Sequence, residues 1–116
     1  MGSIIEIKCD GGDISRVIIG SADEHLAAMT GGPERRVIVV TDANVHLHNR
    51  AFIDSYEHIV IGQGESSKTL QTVEALVRKL LEMNADRGTL LLGVGGGIVT
   101  DITGFVASTY MRGMEF

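Results

Sequence analysis

The run LLLGVGGGIVTD, residues 90–101, brings together two kinds of residue that do chemistry in different ways. Gly93, Gly95, Gly96 and Gly97 offer bare main chain, and Asp101 adds a carboxylate four residues after the last of them. Where a strand ends and a helix begins, unpaired N–H groups and the helix dipole favour an anion. Glycines at such a place let a phosphate approach with no Cβ in its path. Gly95, Gly96 and Gly97 therefore read either as an anion cradle or as a tight turn that packs helix closely on strand. The glycines alone do not separate the two. Asp101 falls in the first turns of the following helix among Ile98, Val99, Ile102, Phe105 and Val106, where the dipole favours its charge; it could hold a ligand or orient the turn. The spacing is not G-x-G-x-x-G, and the glycines come late, so an acid that grips a ribose must be supplied by another strand.

Asp42 is the best such acid. It ends RVIVVTD, on the same edge of the sheet as the glycines, with the Asn44 amide just behind it. Its carboxylate could accept two ribose hydroxyls, or only cap the short helix that follows. GQGESSK, after the next strand, brings Glu65 and Lys68 to the same edge. Three apart at a helix start, they could grip a hydroxyl and a phosphate, or form a surface ion pair worth less than ~1 kcal/mol. Arg112, in TYMRG, has the two-pronged geometry that clasps phosphate or carboxylate, or is an ordinary cation at a helix C-terminus. His46 and His48 stand two apart with no cysteine or third histidine near them to complete a ligand set, so no metal site is expected in this chain. His25 and His58 read as surface or strand-end residues, and Cys9 as packing.

The elements that position these groups follow from periodicity. SIIEIKC and ISRVIIG read as short strands, and Ser21 as the cap of a short helix through Met29. TGGPER is a turn. RVIVVTD and HIVIG are β-branched runs of the kind found in buried parallel strands. Between them, residues 43–55 read as a short helix and loop. SSKTLQTVEALVRKLLEMNADR is the clearest helix, with Leu70, Val73, Val77, Leu80 and Leu81 at helical spacing and its basic residues late. TLLLGV holds a strand ending near Leu92, and a further helix opens near Gly97 or Ile98. Strand and helix alternate along most of the chain, which predicts an α/β, Rossmann-like open and mostly parallel sheet with helices on both faces. The closing YMRGMEF reads as a helix exit leading into another strand, as in an N-terminal piece of a longer protein.

At 116 residues the chain is sized for one domain, residues 1–116. Apolar residues make up 44% and charged residues 22%, which argues against disorder. The net charge of −5, with signs interspersed, lacks the cationic stripe of a nucleic-acid partner. The most apolar window, residues 89–107, carries Asp101 and many glycines, so no membrane segment is expected. A single cysteine and an opening without a signal peptide suit a cytoplasmic protein.

GVGGGIVTDITGFVASTYMRGMEF closely resembles the glycine-rich segment of 3-dehydroquinate synthases, roughly GGG-[VI]-[VI]-x-D-x-x-GF-x-A-[AS]-x-Y-x-RG. VVTDANV resembles that family's strand-end segment, and GQGESSK with the following helix its G-E-x-x-K segment. The resemblance covers about residues 37–116. Thr100 stands where the family usually has glycine, and tolerance is expected. The resemblance implies an enzyme of the shikimate pathway that uses catalytic NAD and a divalent metal, zinc or cobalt. Such an enzyme turns a phosphorylated seven-carbon keto acid (DAHP) into 3-dehydroquinate and phosphate, as a homodimer. It further implies a two-domain fold of which this is the NAD-binding N-terminal domain. The metal ligands, one Glu and two His, belong to a helical C-terminal domain outside this chain, so the chain by itself is expected to be inactive. Carried over by position, Asp42 and Asn44 hold the adenosine ribose, Glu65 and Lys68 meet NAD from the next loop, and Gly96, Gly97, Ile98 and Asp101 line the pyrophosphate and nicotinamide ribose. Arg112 contacts substrate. Two other readings stay open: a relative in the same superfamily, whether another sugar-phosphate cyclase or an iron-type or glycerol dehydrogenase, or a non-catalytic nucleotide-binding module.

Overall fold

The structure, a computed structural model, describes residues 3–12, 14–32 and 34–116. It divides into two compact units, Met1–Pro33 and Glu34–Phe116. Among the described residues no helix is long and apolar enough to cross a membrane.

The first unit holds β1 (Ser3–Lys8), β2 (Ile14–Ile19) and α1 (Ala22–Met29). Among the described residues β1 and β2 form a two-stranded antiparallel sheet, from Ser3 opposite Ile19 to Lys8 opposite Ile14. The two successive strands and the helix expected from the sequence are formed; the strands pair antiparallel because their connection is too short for a parallel crossover, which takes a dozen or more residues. Gly11 and Gly12 supply the left-handed backbone of the turn, at φ 108° and 92°. Helix α1 starts after Ser21 as expected, but the Ser21 side chain makes no capping hydrogen bond.

The second unit is the parallel α/β body. Its strands are β3 (Val37–Asp42), β4 (Glu57–Ile61) and β5 (Leu90–Val94), in the order β4-β3-β5. Its helices are α2 (Ala43–His48), α3 (Arg50–Ile53), α4 (Leu70–Glu82) and α5 (Gly97–Thr109). β3 is central, and Val37, Ile38, Val39, Val40 and Thr41 are all buried, which explains its unbroken β-branched run. β4 is an edge strand and alternates instead: Ile59 and Ile61 are buried while Val60 is exposed. One face of the sheet carries Ile38, Val40, Ile59, Ile61 and Leu91, and packs on Leu76 and Leu80 of α4 and on Val99, Ile102 and Val106 of α5. The other face carries Val39 and His58, which are register partners, and the His58 ring lies 4.9 Å from that of His46 in α2. Helices therefore cover both faces. This follows from handedness: β3 to β4 steps one way and β4 to β5 the other, so two right-handed crossovers must use opposite faces.

The apolar stripe of α4 is Val73, Leu76, Val77, Leu80 and, just past the helix, Met83. The sequence reading had placed Leu70 and Leu81 in it, but both are exposed. The helix starts at Leu70, not Ser66, because the Thr69 hydroxyl caps it by accepting from Thr72 N at 3.2 Å. It ends at Asn84, whose left-handed φ of 54° lets Ala85 N reach Leu80 O at 2.9 Å and Asn84 N reach Leu81 O at 3.0 Å. That is the Schellman pattern, with asparagine in place of glycine. Beyond α5, Met111 and Arg112 take φ 49° and 65° and turn the chain back, so that Met114 N donates to Ala107 O and Leu91 N to Glu115 O. The expected final strand is not formed; Glu115 gives the outer edge of β5 this main-chain contact.

Candidate functional site

In an open parallel sheet, ligands bind beyond the carboxyl ends of the strands, where successive crossovers part to opposite faces. Here that point lies between β3, whose chain leaves toward α2, and β5, whose chain leaves toward α5. The Thr41 hydroxyl, fully buried, donates to Val94 O at 2.8 Å and ties the two strand tips together. The sequence reading did not single out Thr41; a hydroxyl at the end of a β-branched run was the available signal.

On the β3 side, Asp42 is the N-cap of α2, its Oδ1 accepting from Val45 N at 2.8 Å. The capping reading is thus realised, and Oδ2 of the same carboxylate is left for another donor. Asn44 sits exposed in the first turn of α2.

On the β5 side the strand runs two residues further than expected, to Val94, and α5 opens at Gly97 with Gly96 as its N-cap. The glycines divide by role. A Cβ on Gly93 would stand 2.8 Å from Thr103 Oγ1, and one on Gly95 2.8 Å from Val99 Cγ2. These two are glycine because α5 packs closely on the strand. A Cβ on Gly96 or Gly97 would meet nothing within 4 Å, and neither takes a left-handed φ. Nothing inside the fold demands glycine at those two positions. No side chain caps Gly96, so the first N–H groups of α5, including those of Gly97 and Ile98, face outward without intrahelical partners. Thr100, the departure from the family pattern, turns its hydroxyl back to Gly96 O and Gly97 O at 3.2 and 3.1 Å.

The third wall comes from the loop after β4. Gly64, at φ 86°, starts a 3-10 turn over Glu65–Ser67 that delivers Lys68 to the head of α4. Lys68 Nζ donates to Asp101 Oδ2 at 2.8 Å, bridging the starts of α4 and α5. Lys68 is paired with this acid 33 residues away, not with Glu65 as the spacing had allowed. The hydrogen bond to Asp101, and then its charge, raise the Lys68 pKa above the ordinary lysine value. Beside the pair lies a hollow of about 330 Å³ lined by Thr69, Leu70, Val73, Ile102 and Phe105. Exposed Leu70 and Phe105 thus form an apolar wall here, not part of the core.

Asp42, Asn44, Glu65, Lys68, Gly96, Gly97, Ile98 and Asp101 therefore all belong to the segments that leave the carboxyl edge of the sheet. Arg112 does not. It follows the far end of α5, 12 residues or roughly 18 Å along the helix. There it lines an open hollow with Arg87, Gly88, Gly113 and Glu115.

The fold defines the class as an α/β domain with a three-stranded parallel sheet and helices on both faces. 2-Deoxy-scyllo-inosose synthase, solved with carbaglucose-6-phosphate, NAD+ and Co2+, matches 97% of this chain and 33% of its own with a TM-score of 0.75 at 21% identity. More particularly, the profile of the 3-dehydroquinate synthase N-terminal region matches residues 58–116, just over half of the chain, and the chain belongs to that family. The 3-dehydroquinate synthase of Saccharolobus solfataricus is 46% identical over 81 residues, 70% of this chain and 21% of its own length. That of Solibacter usitatus is 36% identical over 113 residues, 92% of this chain and 30% of its own length. The chain thus spans less than a third of these relatives.

Proposed function

We propose that this chain is the NAD-binding N-terminal part of a 3-dehydroquinate synthase, the enzyme that converts DAHP to 3-dehydroquinate and phosphate in aromatic amino-acid biosynthesis. The observation that carries the reading is the open space at Gly96 and Gly97, where glycine serves no internal need at an uncapped helix start. The N–H groups of Gly97 and Ile98 would hold the pyrophosphate. Asp42 and Asn44 would hold the adenosine ribose, with Asp42 using its second oxygen. Glu65, Lys68 and Asp101 would flank the nicotinamide end, next to the apolar hollow. Bound there, NAD would supply reversible hydride transfer with the carbon that bears a substrate hydroxyl, whose proton leaves separately.

The family's metal ligands, one Glu and two His, belong to the domain outside this chain. Among the described residues the grouping with metal-ligand spacing is His46, Asp54 and His58, not a Glu with two His, so no step is assigned through it. Arg112 is kept as a substrate contact, to be tested by the KM of Arg112→Ala in an enzyme that carries the remaining domain. A homodimer in the cytoplasm completes the proposal, supported by the outer edge of β5, which sedimentation of the chain would test.

Titration with NAD checks the cofactor reading. Gly96→Val should weaken binding at least roughly tenfold, since 1.4 kcal/mol of lost contact is enough. Asp42→Asn keeps a good N-cap, so any loss of affinity in it reports the ribose contact and not the helix. A chain that binds no NAD, or whose affinity ignores Gly96→Val, Asp42→Asn and Asp101→Ala together, is no cofactor domain. Equal affinity for AMP and NAD favours the simpler nucleotide-binding module.

A further inference from the structure

Away from the rim, α2, the end of α3 and the start of β4 bring three ligand-type side chains together. His46 Nε2 lies 2.7 Å from Asp54 Oδ1, and His58 Nε2 lies 3.7 Å from the same oxygen. One ligand atom from each residue falls within 4.8 Å of the others. In β4, His58 pairs with Val39, three residues before Asp42, so the cluster sits roughly 10 Å back from the carboxyl edge and belongs to a different place from the glycine rim.

The hydrogen bonds fix what these rings present. His58 Nδ1 lies 3.0 Å from Tyr56 O, and a carbonyl only accepts, so Nδ1 carries the proton. His58 Nε2, the other ring nitrogen, faces Asp54 Oδ1 across 3.7 Å, too far for a hydrogen bond. His46 already occupies that carboxylate through its own Nε2. An imidazole whose second nitrogen is held by a backbone carbonyl is the usual second-shell arrangement of a histidine metal ligand. Donors bound at about 2.0 Å in a tetrahedron stand about 3.3 Å apart, and the observed 2.7 and 3.7 Å bracket that spacing. The side chains are 21%, 29% and 51% exposed for His46, His58 and Asp54, so an ion can enter and water can take a fourth position.

We propose that His46, Asp54 and His58 form a binding site for a divalent transition metal of the zinc class, distinct from the metal of the proposed reaction. Two imidazoles and one carboxylate select zinc, cobalt or nickel over magnesium or calcium. The ion clamps α2 and the α3–β4 connection to the sheet, one helical turn from Asp42. Sequence spacing hid the site because its members, 8 and 4 residues apart, come from a helix, a helix end and a strand.

The test is zinc added to the metal-free 116-residue chain, followed by calorimetry and by NMR of the histidine ring nitrogens. One ion binds per chain, and the Nε2 resonances of His46 and His58 shift while those of His25 and His48 stay. His46→Ala or His58→Ala weakens binding by more than roughly 100-fold, the upper range for loss of a mere second-shell partner. His48→Ala changes nothing. No saturable binding, or ring shifts confined to His25 and His48, overturns the proposal. The NMR readout uses the unmodified chain, so an unfolded variant cannot obscure the answer.

Discussion

At the scale of single residues the glycine run shows how one composition serves two physical needs. Gly93 and Gly95 make room for Thr103 and Val99, whereas Gly96 and Gly97 leave room for something outside the fold. Thr103 cannot step aside, because its buried hydroxyl is held by Val99 O at 2.7 Å. Gly93→Ala should therefore lower stability by roughly 1–3 kcal/mol, the usual cost of overpacking. Gly97→Ala should change the urea midpoint by no more than about 0.5 kcal/mol equivalent, as an open surface site does. Equilibrium unfolding of both variants checks the contrast, and equal losses would mean that Gly97 is also packed. The sequence carried the glycine-rich turn from β5 into α5, with Asp42 at the end of β3 and Asp101 in the first turns of α5. It did not carry the Lys68–Asp101 bridge, because 33 residues and two elements separate the partners and no local spacing encodes the pair.

At the scale of elements, one cation does the work of joining. Arg36, just before β3, grips Glu57 of β4 through Nε at 2.7 Å and Nη2 at 2.8 Å. The same guanidinium donates to Met83 O at 2.7 Å and Asn84 O at 3.1 Å, the carbonyls that α4 leaves open at its end. Two strands and a helix terminus are thus fixed at the amino edge of the sheet, opposite the proposed cofactor rim. The hydrogen bond from Arg36 lowers the Glu57 pKa below the ordinary glutamate value, against a smaller opposing effect of desolvation. A depressed carboxyl pKa gives stability that is complete above the unfolded pKa of about 4.3 and is lost as pH falls through the lower folded value. Glu57 is half exposed, so the amplitude should stay within about 1 kcal/mol. Glu57→Gln should lower the urea midpoint at pH 7 and flatten its decline below pH ~5, the two proteins converging at the acid end. Parallel curves that never converge would assign the loss to packing instead of charge.

At the scale of the whole chain, the parallel body was legible because each of its strands and helices announces itself locally: a β-branched run, a capped amphipathic helix, glycines at a strand tip. The ribbon of β1 and β2 was not, because alternation marks a strand without saying which strand it pairs with. The decisive signal was the short CDGGD connection, which permits only a hairpin. That ribbon differs physically from the rest. Ile4, Ile5, Ile7, Ile14, Val17 and Ile19 are all about half exposed, while Ile38, Val39 and Val40 of β3 are wholly buried. A two-stranded ribbon with so little burial is marginal in water, and segments with few buried contacts open well below the global unfolding free energy. Hydrogen–deuterium exchange of the intact chain should therefore show amides of residues 3–19 exchanging first and independently of denaturant. Those of β3 and β5 should exchange last, by global unfolding. Exchange of the ribbon in step with β3 across a urea series would mean one cooperative unit and would refute the division of the chain at residue 34.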